Sequence, residues 1–276
     1  MSWLRVVLGR KKAVAVLVVG VSIAASAAAQ RGRFGQRVSI QQNPKYDGMF
    51  QFCRVMFRQN PYGDGDGWSV DYPRADINFP YRLSELTSTL VSKDVRGDAN
   101  HIVLRLTDAE LFRCPFIMLT EPGGAFLDEE EAAKLREYLL KGGFLWADDF
   151  WGERAWANWE EQVRKVFPGG EFPIVDLPPS HAIFHELYEV RSLPQISSIG
   201  FWQRTGGRTS ERGAESATAH TRGLADAKGN LMILMTHNTD LGDAFERESD
   251  SRPFFETFAA VGYAFGINAL LYTMTH

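Results

Sequence analysis

The chain has 276 residues and a formal net charge of −4 at pH 7, with 45% hydrophobic and 23% charged residues. This length and composition suit one large α/β domain with a full apolar core. An acidic chain without a basic cluster excludes nucleic acid as the expected partner.

The first 29 residues predict a secretory signal peptide. An apolar run over residues 13–25 is followed by Ala27-Ala28-Ala29, which fits a cleavage site before Gln30. Four basic residues precede the run: Arg5, Arg10, Lys11 and Lys12. We therefore expect a cleaved leader (1–29) and a periplasmic or secreted protein. Retention of the segment as an uncleaved anchor is the alternative, and only then would the chain associate with a membrane.

The rest of the chain is predicted to be a polar, disordered lead-in over residues 30–47 and a single α/β domain over residues 48–276. Asp128 and Glu131 fit a capping box at the start of a helix that ends at Gly142-Gly143. Apolar runs predict five strands, at residues 50–58, 101–106, 115–120, 144–147 and 230–238. The third strand, the helix and the fourth strand form a predicted βαβ unit of a parallel sheet.

Two further helices are predicted, at residues 156–167 and from about residue 253 to 273. The second has no charged residue from Thr257 to Thr275, which approaches the length of a membrane span. We favour a core helix packed on the sheet, because polar residues and glycines dilute its hydrophobicity. Gly262 and Gly266 have the spacing that lets a helix approach its neighbour closely.

Residues 64–87 are rich in acids, aromatics and arginines, and they fit no simple helix or strand period. We interpret them as a belt over the sheet edge, held by internal ion pairs and ending in a short helix. A functional interpretation, which is compatible with the first, is a loop that folds over the crevice at the strand ends. Asp64 and Asp66 resemble half a calcium loop, but Trp68 occupies the fifth position of that motif. Residues 203–230, rich in Gly, Arg and Ser, predict a mobile loop.

The two cysteines of the chain are Cys53 and Cys114. An exported protein could pair them. We place Cys53 in the middle of one strand and Cys114 just before another, positions that need not lie within bonding reach. Free, buried cysteines are therefore the favoured prediction, and a disulfide is the alternative.

The candidate site residues follow the predicted strands, because ligands of open parallel sheets bind outside the carboxyl ends of the strands. Asp148, Asp149 and His237 are candidate catalytic residues, acting as acid and base or as ligands of a divalent metal. A helix cap, a salt bridge and an ordinary strand end are the alternatives for these three. The candidate ligand-binding residues are Arg58, Asp71, Asp76, Glu121, Gly123, Gly124, Trp151, Asn238 and Asp240.

Five motifs resemble, in this order, the bacterial DUF4159 proteins. They are GWSVDYPRADINFPYRLSELT, GGFLWADDFWG, HAIFHELYEV, THNTDLGDAFE and FGINALLYTMT. The resemblance covers about residues 48–276, and its first motif is the long and specific one. It implies a relation to the class I glutamine amidotransferase-like superfamily. That relation in turn implies a flavodoxin-like parallel sheet sandwiched by helices.

Catalytic amidotransferases of that superfamily carry a cysteine on a strand-to-helix elbow. By chain order the elbow here is residues 147–152, which contain neither cysteine nor serine, and Cys114 precedes its strand. We therefore expect an amidotransferase-like domain without that activity, which binds a small molecule or an envelope protein at the carboxyl edge. One alternative is a hydrolase that uses Asp148 or Asp149 with His237, with or without a metal. The other is an envelope assembly factor.

Overall fold

Residues 39–275 are described in a computed structural model of the protein. The chain divides into two compact units, Met1–Gln41 and Gln42–His276, and the described residues 39–41 of the first unit form no helix or strand. The predicted signal peptide and residues 30–38 of the predicted lead-in lie outside the described residues. In the second unit, the Asn43 side chain hydrogen-bonds both backbone groups of Val103, at 2.9 and 3.0 Å.

The described residues form nine strands and six helices, with short 3₁₀ turns between them. The strands are β1 (Phe52–Val55), β2 (Arg58–Gln59), β3 (His101–Leu104), β4 (Phe116–Thr120), β5 (Ala125–Phe126), β6 (Phe144–Phe150), β7 (Ile174–Asp176), β8 (His220–Ala225) and β9 (Leu231–His237). The helices are α1 (Arg74–Leu86), α2 (Glu129–Leu140), α3 (Gly152–Val166), α4 (Ile199–Thr205), α5 (Leu241–Glu246) and α6 (Arg252–Thr275). Helix α6 contains a π-helical stretch, Phe255–Ala259.

Seven strands form one sheet in the order β3-β1-β4-β6-β9-β8-β7. The five strands β3, β1, β4, β6 and β9 are parallel, whereas β8 and β7 are antiparallel to their neighbours. Numbered by their place in the chain, the five parallel strands have the order 2-1-3-4-5. The prediction of an α/β fold with a mostly parallel sheet is thus confirmed. Strands β2 and β5 form a separate antiparallel pair.

Helices cover both faces of the sheet, and alternate strand residues supply the two cores. Phe116 and Trp146 belong to the core that contains residues of α1, α5 and α6. Their chain neighbours Ile117 and Leu145 belong to the core that contains residues of α2 and α3. Because both faces are covered, β4 and β6 are buried along their whole length, as expected for central parallel strands.

The predicted βαβ unit is β4, α2 and β6. Asp128 accepts a hydrogen bond from the N–H of Glu131 at 2.9 Å, and Glu131 accepts one from the N–H of Asp128 at 3.0 Å. This reciprocal pair is the predicted capping box. Strand β6 is longer than predicted, because Asp148 and Phe150 still pair with β9. The register shifts between these two residues, so Asp149 forms a bulge in the strand.

Helix α1 corrects the interpretation of residues 64–87 as a belt with a short helix at its end. The helix occupies thirteen residues of that segment, and Ala75, Phe79 and Leu83 form a buried stripe at four-residue spacing. Pro80 lies inside the helix. A proline lacks the N–H that an interior helix position donates, so its presence argues against a helix at the sequence level.

Strand β8 corrects the prediction of a mobile loop over residues 203–230. It pairs antiparallel with β9 over six residue pairs, and Thr221, Gly223 and Leu224 are buried. The segment is poor in large apolar residues because it lies near the edge of the sheet. Only β7, a strand of three residues, continues the sheet beyond it.

Helix α6 is long and apolar enough to cross a membrane by length and composition, but 61% of its most apolar stretch is buried inside the domain. Gly262 faces Ala244 of α5, and Gly266 faces Phe79 of α1. A β-carbon at either glycine would collide with these side chains. The predicted glycine spacing thus permits close packing, but against two helices rather than directly against the sheet.

The structure joins Cys53 and Cys114 in a disulfide, so the prediction of free cysteines is wrong. Their placement, in β1 and two residues before β4, was right. Since β1 and β4 are neighbours, the two Cα atoms lie 6.3 Å apart, within the usual range for a disulfide.

We expect the double substitution Cys53→Ala/Cys114→Ala to lower the free energy of unfolding by about 4 kcal/mol, because the disulfide closes a loop of 61 residues in the unfolded chain. Urea denaturation followed by tryptophan fluorescence measures the loss. Reduction of the wild-type protein is the matched control and should give a similar loss. Two reactive thiols in the unfolded, unreduced protein would contradict the pairing.

Candidate functional site

The candidate site lies at the carboxyl ends of the parallel strands. Strand β3 lies on one side of β1 and β4 on the other, so the direction of the chain across the sheet reverses there. In open parallel sheets this reversal leaves a crevice in which ligands bind. The segments that meet at this edge are residues 58–73, 120–124, 148–152 and 238–243.

Left-handed backbone is concentrated at this edge. In the described part of the chain, the non-glycine residues with positive φ are Asp71 (64°), Glu121 (53°), Asp149 (58°) and Asn238 (61°). This conformation is unfavourable for most L-residues, and Asp and Asn tolerate it best. Such residues cluster at active sites and ligand-binding sites. All four were selected from the sequence as candidate site residues.

Six carboxylates interact at this edge, and we call them the carboxylate centre: Asp71, Glu121, Asp148, Asp149, Asp240 and Asp243. Burial raises the pKa of Asp71, Asp149 and Asp240 well above the ordinary value. Repulsion from the neighbouring carboxylates raises these pKa values further. The raised pKa values therefore show that the surrounding protein does not stabilise all of these carboxyls in their charged form.

Asp148 is fully buried and links three elements. Its Oδ1 accepts a hydrogen bond from the Thr236 hydroxyl in β9. Its Oδ2 accepts hydrogen bonds from the N–H groups of Leu241 and Gly242, at 2.9 and 3.0 Å. Burial raises the pKa of Asp148 to about 7. These contacts make Asp148 a cap for the start of α5, which is the structural alternative considered for it.

Asp149 points its carboxylate toward the centre from the bulge in β6. Its Oδ1 accepts a hydrogen bond from the indole N–H of Trp151 at 2.9 Å. Burial is the largest cause of its raised pKa, followed by repulsion from Glu121 and Asp71. The bulge thus places Asp149 among carboxylates from two other segments.

Glu121 follows β4 and contacts the loop of residues 60–67. Its Oε2 accepts a hydrogen bond from the N–H of Gly67 at 2.5 Å, and burial raises its pKa to about 8. The carbonyls of Gly123 and Gly124 accept hydrogen bonds from the same loop, each at 2.8 Å. The loop therefore covers the predicted glycine segment, and Glu121 forms the side of the centre nearest to it.

His237 is not paired with Asp148 or Asp149. Its Nδ1 accepts a hydrogen bond from Arg222 at 3.0 Å, and its Nε2 donates one to the Gly152 carbonyl at 3.1 Å. Burial lowers its pKa to about 4, so the imidazole is neutral at pH 7. Both ring nitrogens are occupied, and the residue joins β8, β9 and the start of α3.

Two other predicted residues have local structural contacts. Arg58 is half exposed and binds Asp128 and Glu131 at the start of α2, at 2.6 Å each, outside the carboxylate centre. Asn238 accepts a hydrogen bond from the N–H of Gly152 at 2.8 Å. It thereby holds the end of β9 against the segment that follows β6.

Asp76 forms a buried ion pair with Arg54, a residue that sequence analysis missed. Both side chains are 0% exposed, and Arg54 Nε lies 2.9 Å from each Asp76 oxygen. Arg54 Nη1 donates to the carbonyls of Trp68 and Val70 and to the Thr120 hydroxyl. Arg54 thus fixes the loop that leads into Asp71, and Asp76 is the buried counter-ion of Arg54 rather than a member of the carboxylate centre.

Asp243 is the second residue that sequence analysis missed. It lies three residues after Asp240, whose Oδ1 accepts a hydrogen bond from the Asp243 N–H at 2.7 Å. This spacing is the signal that could have identified it, since an acid three residues after an N-cap faces the same helix end. For Arg54, the signal is a lone charge inside the apolar stretch of β1, which requires a buried counter-ion.

Comparison with known protein families identifies one match. Residues 55–274 match the family described as "Domain of unknown function (DUF4159)". The chain belongs to this family. A comparison with curated proteins found no match. The resemblance drawn from the five motifs is therefore confirmed at the level of the DUF4159 family.

The carboxylate centre gives this DUF4159 domain two chemical capabilities. Oxygen-only ligands suit hard cations such as Ca²⁺ and Mg²⁺. Carboxyls with pKa values near neutrality can also donate or accept protons. Cation binding uses several carboxylates at once, whereas proton transfer needs one or two.

We expect Arg54→Met to lower the free energy of unfolding by about 3–5 kcal/mol, because it leaves the buried Asp76 carboxylate without a partner. Arg74→Met is the matched control. Arg74 is 41% exposed and pairs with Asp250 at 3.1 Å, so its loss should amount to less than about 1 kcal/mol. Urea denaturation measures both, and equal losses would contradict the central role of Arg54.

We expect the protein in chelator-containing buffer to be more stable at pH 6.5 than at pH 8. The pKa values of Glu121 and Asp148 are raised to about 8 and about 7, so the folded state binds more protons than the unfolded state in this range. Stability is therefore lost as pH rises through these values, by at most about 1.4 kcal/mol per pH unit for each proton. The pKa of His237 is lowered to about 4, so its contribution to the stability of the protein is lost only as the pH falls below 6.5.

The measurement for this pH dependence is the free energy of unfolding in urea at pH 6.5 and pH 8. Glu121→Gln should reduce the difference, since it removes one of the titrating groups. An unchanged difference in Glu121→Gln would refute the assignment of this titration to Glu121.

Proposed function

We propose that this DUF4159 protein is an exported, amidotransferase-like domain that binds a cationic ligand at its carboxylate centre. Export is supported by the predicted leader and by the disulfide between Cys53 and Cys114, because disulfides persist in oxidising compartments. The periplasm or the extracellular space is the proposed location.

The amidotransferase-like placement is supported by the strand order. The order 2-1-3-4-5 of the five parallel strands is that of flavodoxin-like sheets, whose ligands bind where the order reverses. Glu121 follows one of the two strands at this reversal, and Asp71 lies on the loop that follows the other. The proposed superfamily and the proposed site thus agree in position.

Thiol-dependent amidotransferase chemistry is excluded from the proposal. The sequence has two cysteines, and both form the disulfide. Cys114 precedes β4, whereas the carboxylate centre lies beyond the other end of that strand. The end of β6, where the superfamily carries its nucleophile, has Asp148 and Asp149 instead.

The observation that carries the proposal is the excess of carboxyl groups over basic groups in the carboxylate centre. Five of its six carboxylates are buried, and Glu121 is partly buried. Arg54, a buried base that interacts electrostatically with Asp71, is bound to Asp76. Arg247 forms ion pairs with Glu246, Asp250 and Asp243. Buried carboxylates that lack counter-ions are unfavourable, and a cation would stabilise them.

A binding role has more support than hydrolysis. The hydrolase hypothesis needs Asp148 or Asp149 to act with His237, but both ring nitrogens of His237 and both oxygens of Asp148 have protein partners. The hypothesis of an envelope assembly factor stays a prediction, and no contact at the carboxylate centre favours it.

We expect at least one cationic compound to raise the melting temperature of the purified protein, in a panel of inorganic cations, polyamines, neutral amides and anions at constant ionic strength. Binding to the folded state at one hundred times Kd adds about 2.7 kcal/mol of stability. Asp149→Asn should reduce the effect, whereas Asp98→Asn, an exposed acid outside the centre, should not. The proposal fails if no cation stabilises the protein, or if the protein releases ammonia from glutamine.

A further inference from the structure

Three carboxylates of the centre lie close enough to share one ion. Asp71, Asp240 and Asp243 each offer one oxygen, and these three oxygens lie within 4.8 Å of one another. Calcium–oxygen distances are roughly 2.3–2.6 Å, so two oxygens bound to one ion are at most roughly 5 Å apart. The three side chains are 7%, 3% and 4% exposed.

The second observation is an oxygen without a partner. Asp71 Oδ2 is buried and has no hydrogen-bond partner among the described residues. Asp240 Oδ1 and Asp243 Oδ2, by contrast, accept hydrogen bonds from the N–H groups of Asp243 and Ile199. A buried carboxylate oxygen that makes no hydrogen bond is strongly unfavourable. This oxygen therefore points to a ligand that the three carboxylates share.

Neither of two arginines near Asp71 in the described part of the chain bonds to its Oδ2. Arg54 attracts Asp71, but its donors are used by Asp76, by two carbonyls and by the Thr120 hydroxyl. Arg247 lies 3.6 Å from Asp243 and closer to Glu246, at 2.6 Å. Asp71 Oδ2 thus has neither a hydrogen-bond donor nor a basic partner among the described residues.

The shape of the site matches this requirement. Gly242 lies between Asp240 and Asp243, and a β-carbon at this position would collide with Asp71 Oδ2. The absence of a side chain lets the Asp71 carboxylate approach the first turn of α5. Asp71, which has a left-handed backbone, thereby packs directly against the start of α5.

The donor set identifies the class of ligand. It contains carboxylate oxygens and neither histidine nor cysteine, which favours Ca²⁺ or Mg²⁺ over zinc or copper. We propose that Asp71, Asp240 and Asp243 bind one divalent cation, Ca²⁺ or Mg²⁺. This inference rests on the proposed function, because it names the cation that the carboxylate centre binds.

Isothermal titration of the chelator-treated full chain with CaCl₂ and with MgCl₂ tests the inference. We expect one ion per chain for at least one of the two salts. Asp71→Asn and Asp240→Asn should weaken binding at least tenfold, and asparagine keeps both the left-handed backbone and the helix cap available. Asp98→Asn is the matched control and should bind as the wild type does.

Gly242→Ala is a second variant that changes no charge. Its methyl group would displace the Asp71 carboxylate, so we expect weaker binding with an otherwise intact acidic cluster. Asp71→Asn should also be at least as stable as the wild type in chelator, because it removes a buried charge. That stability measurement separates loss of the site from loss of the fold.

Two results would overturn the inference: no binding of either cation at millimolar concentration, or equal binding by the wild type and Asp71→Asn. If polyamines stabilise the protein and neither metal binds, the metal site is refuted and the proposed function remains. If no cation of either kind binds, both fail.

Discussion

The buried ion pair between Arg54 and Asp76 is the interaction on which the site depends. Arg54 lies in β1, Asp76 lies in α1, and neither side chain is exposed. The same guanidinium holds two carbonyls of the loop before Asp71 and the hydroxyl of Thr120 at the end of β4. A buried charged group is tolerated only when its hydrogen bonds are made, so the loop must keep its carbonyls within reach of Arg54. The location of Asp71 at the carboxylate centre follows from it.

Because Arg54 pairs with Asp76, the carboxylate centre has more acidic groups than basic partners. Asp148 is stabilised by two N–H groups at the start of α5 and by Thr236, which explains how a buried acid is tolerated there. Asp71 has no such arrangement for its Oδ2. These two carboxylates therefore differ in their contacts. Asp148 completes the fold by capping a helix, whereas Asp71 carries the unpartnered oxygen on which the proposed cation site is based.

Much of the fold could be predicted because it depends on local patterns. The apolar run of β4 and the capping box of α2 are encoded within a few residues, and both are found where they were expected. Helix α1 and the disulfide depend on tertiary context. Pro80 masks the helical period, and the proximity of Cys53 to Cys114 follows from the adjacency of β1 and β4, which no local pattern encodes. Similarly, the search for polar residues after the predicted strands identified Asp71 and Asp240. It missed Arg54, which lies inside a strand and whose partner, Asp76, is 22 residues away.

The positions of the three proposed ligands suggest what a bound cation would do to the protein. Asp71 lies on the loop between β2 and α1, whereas Asp240 and Asp243 lie at the start of α5. These segments are about 170 residues apart in the chain and meet only in the folded state, so an ion that binds both would stabilise the folded state. The ion would also reduce the repulsion that raises the pKa values of these carboxylates. If the proposed cation binds, binding and local stability are coupled at this edge, because the buried carboxylates that are unfavourable without a ligand are the groups that would bind it.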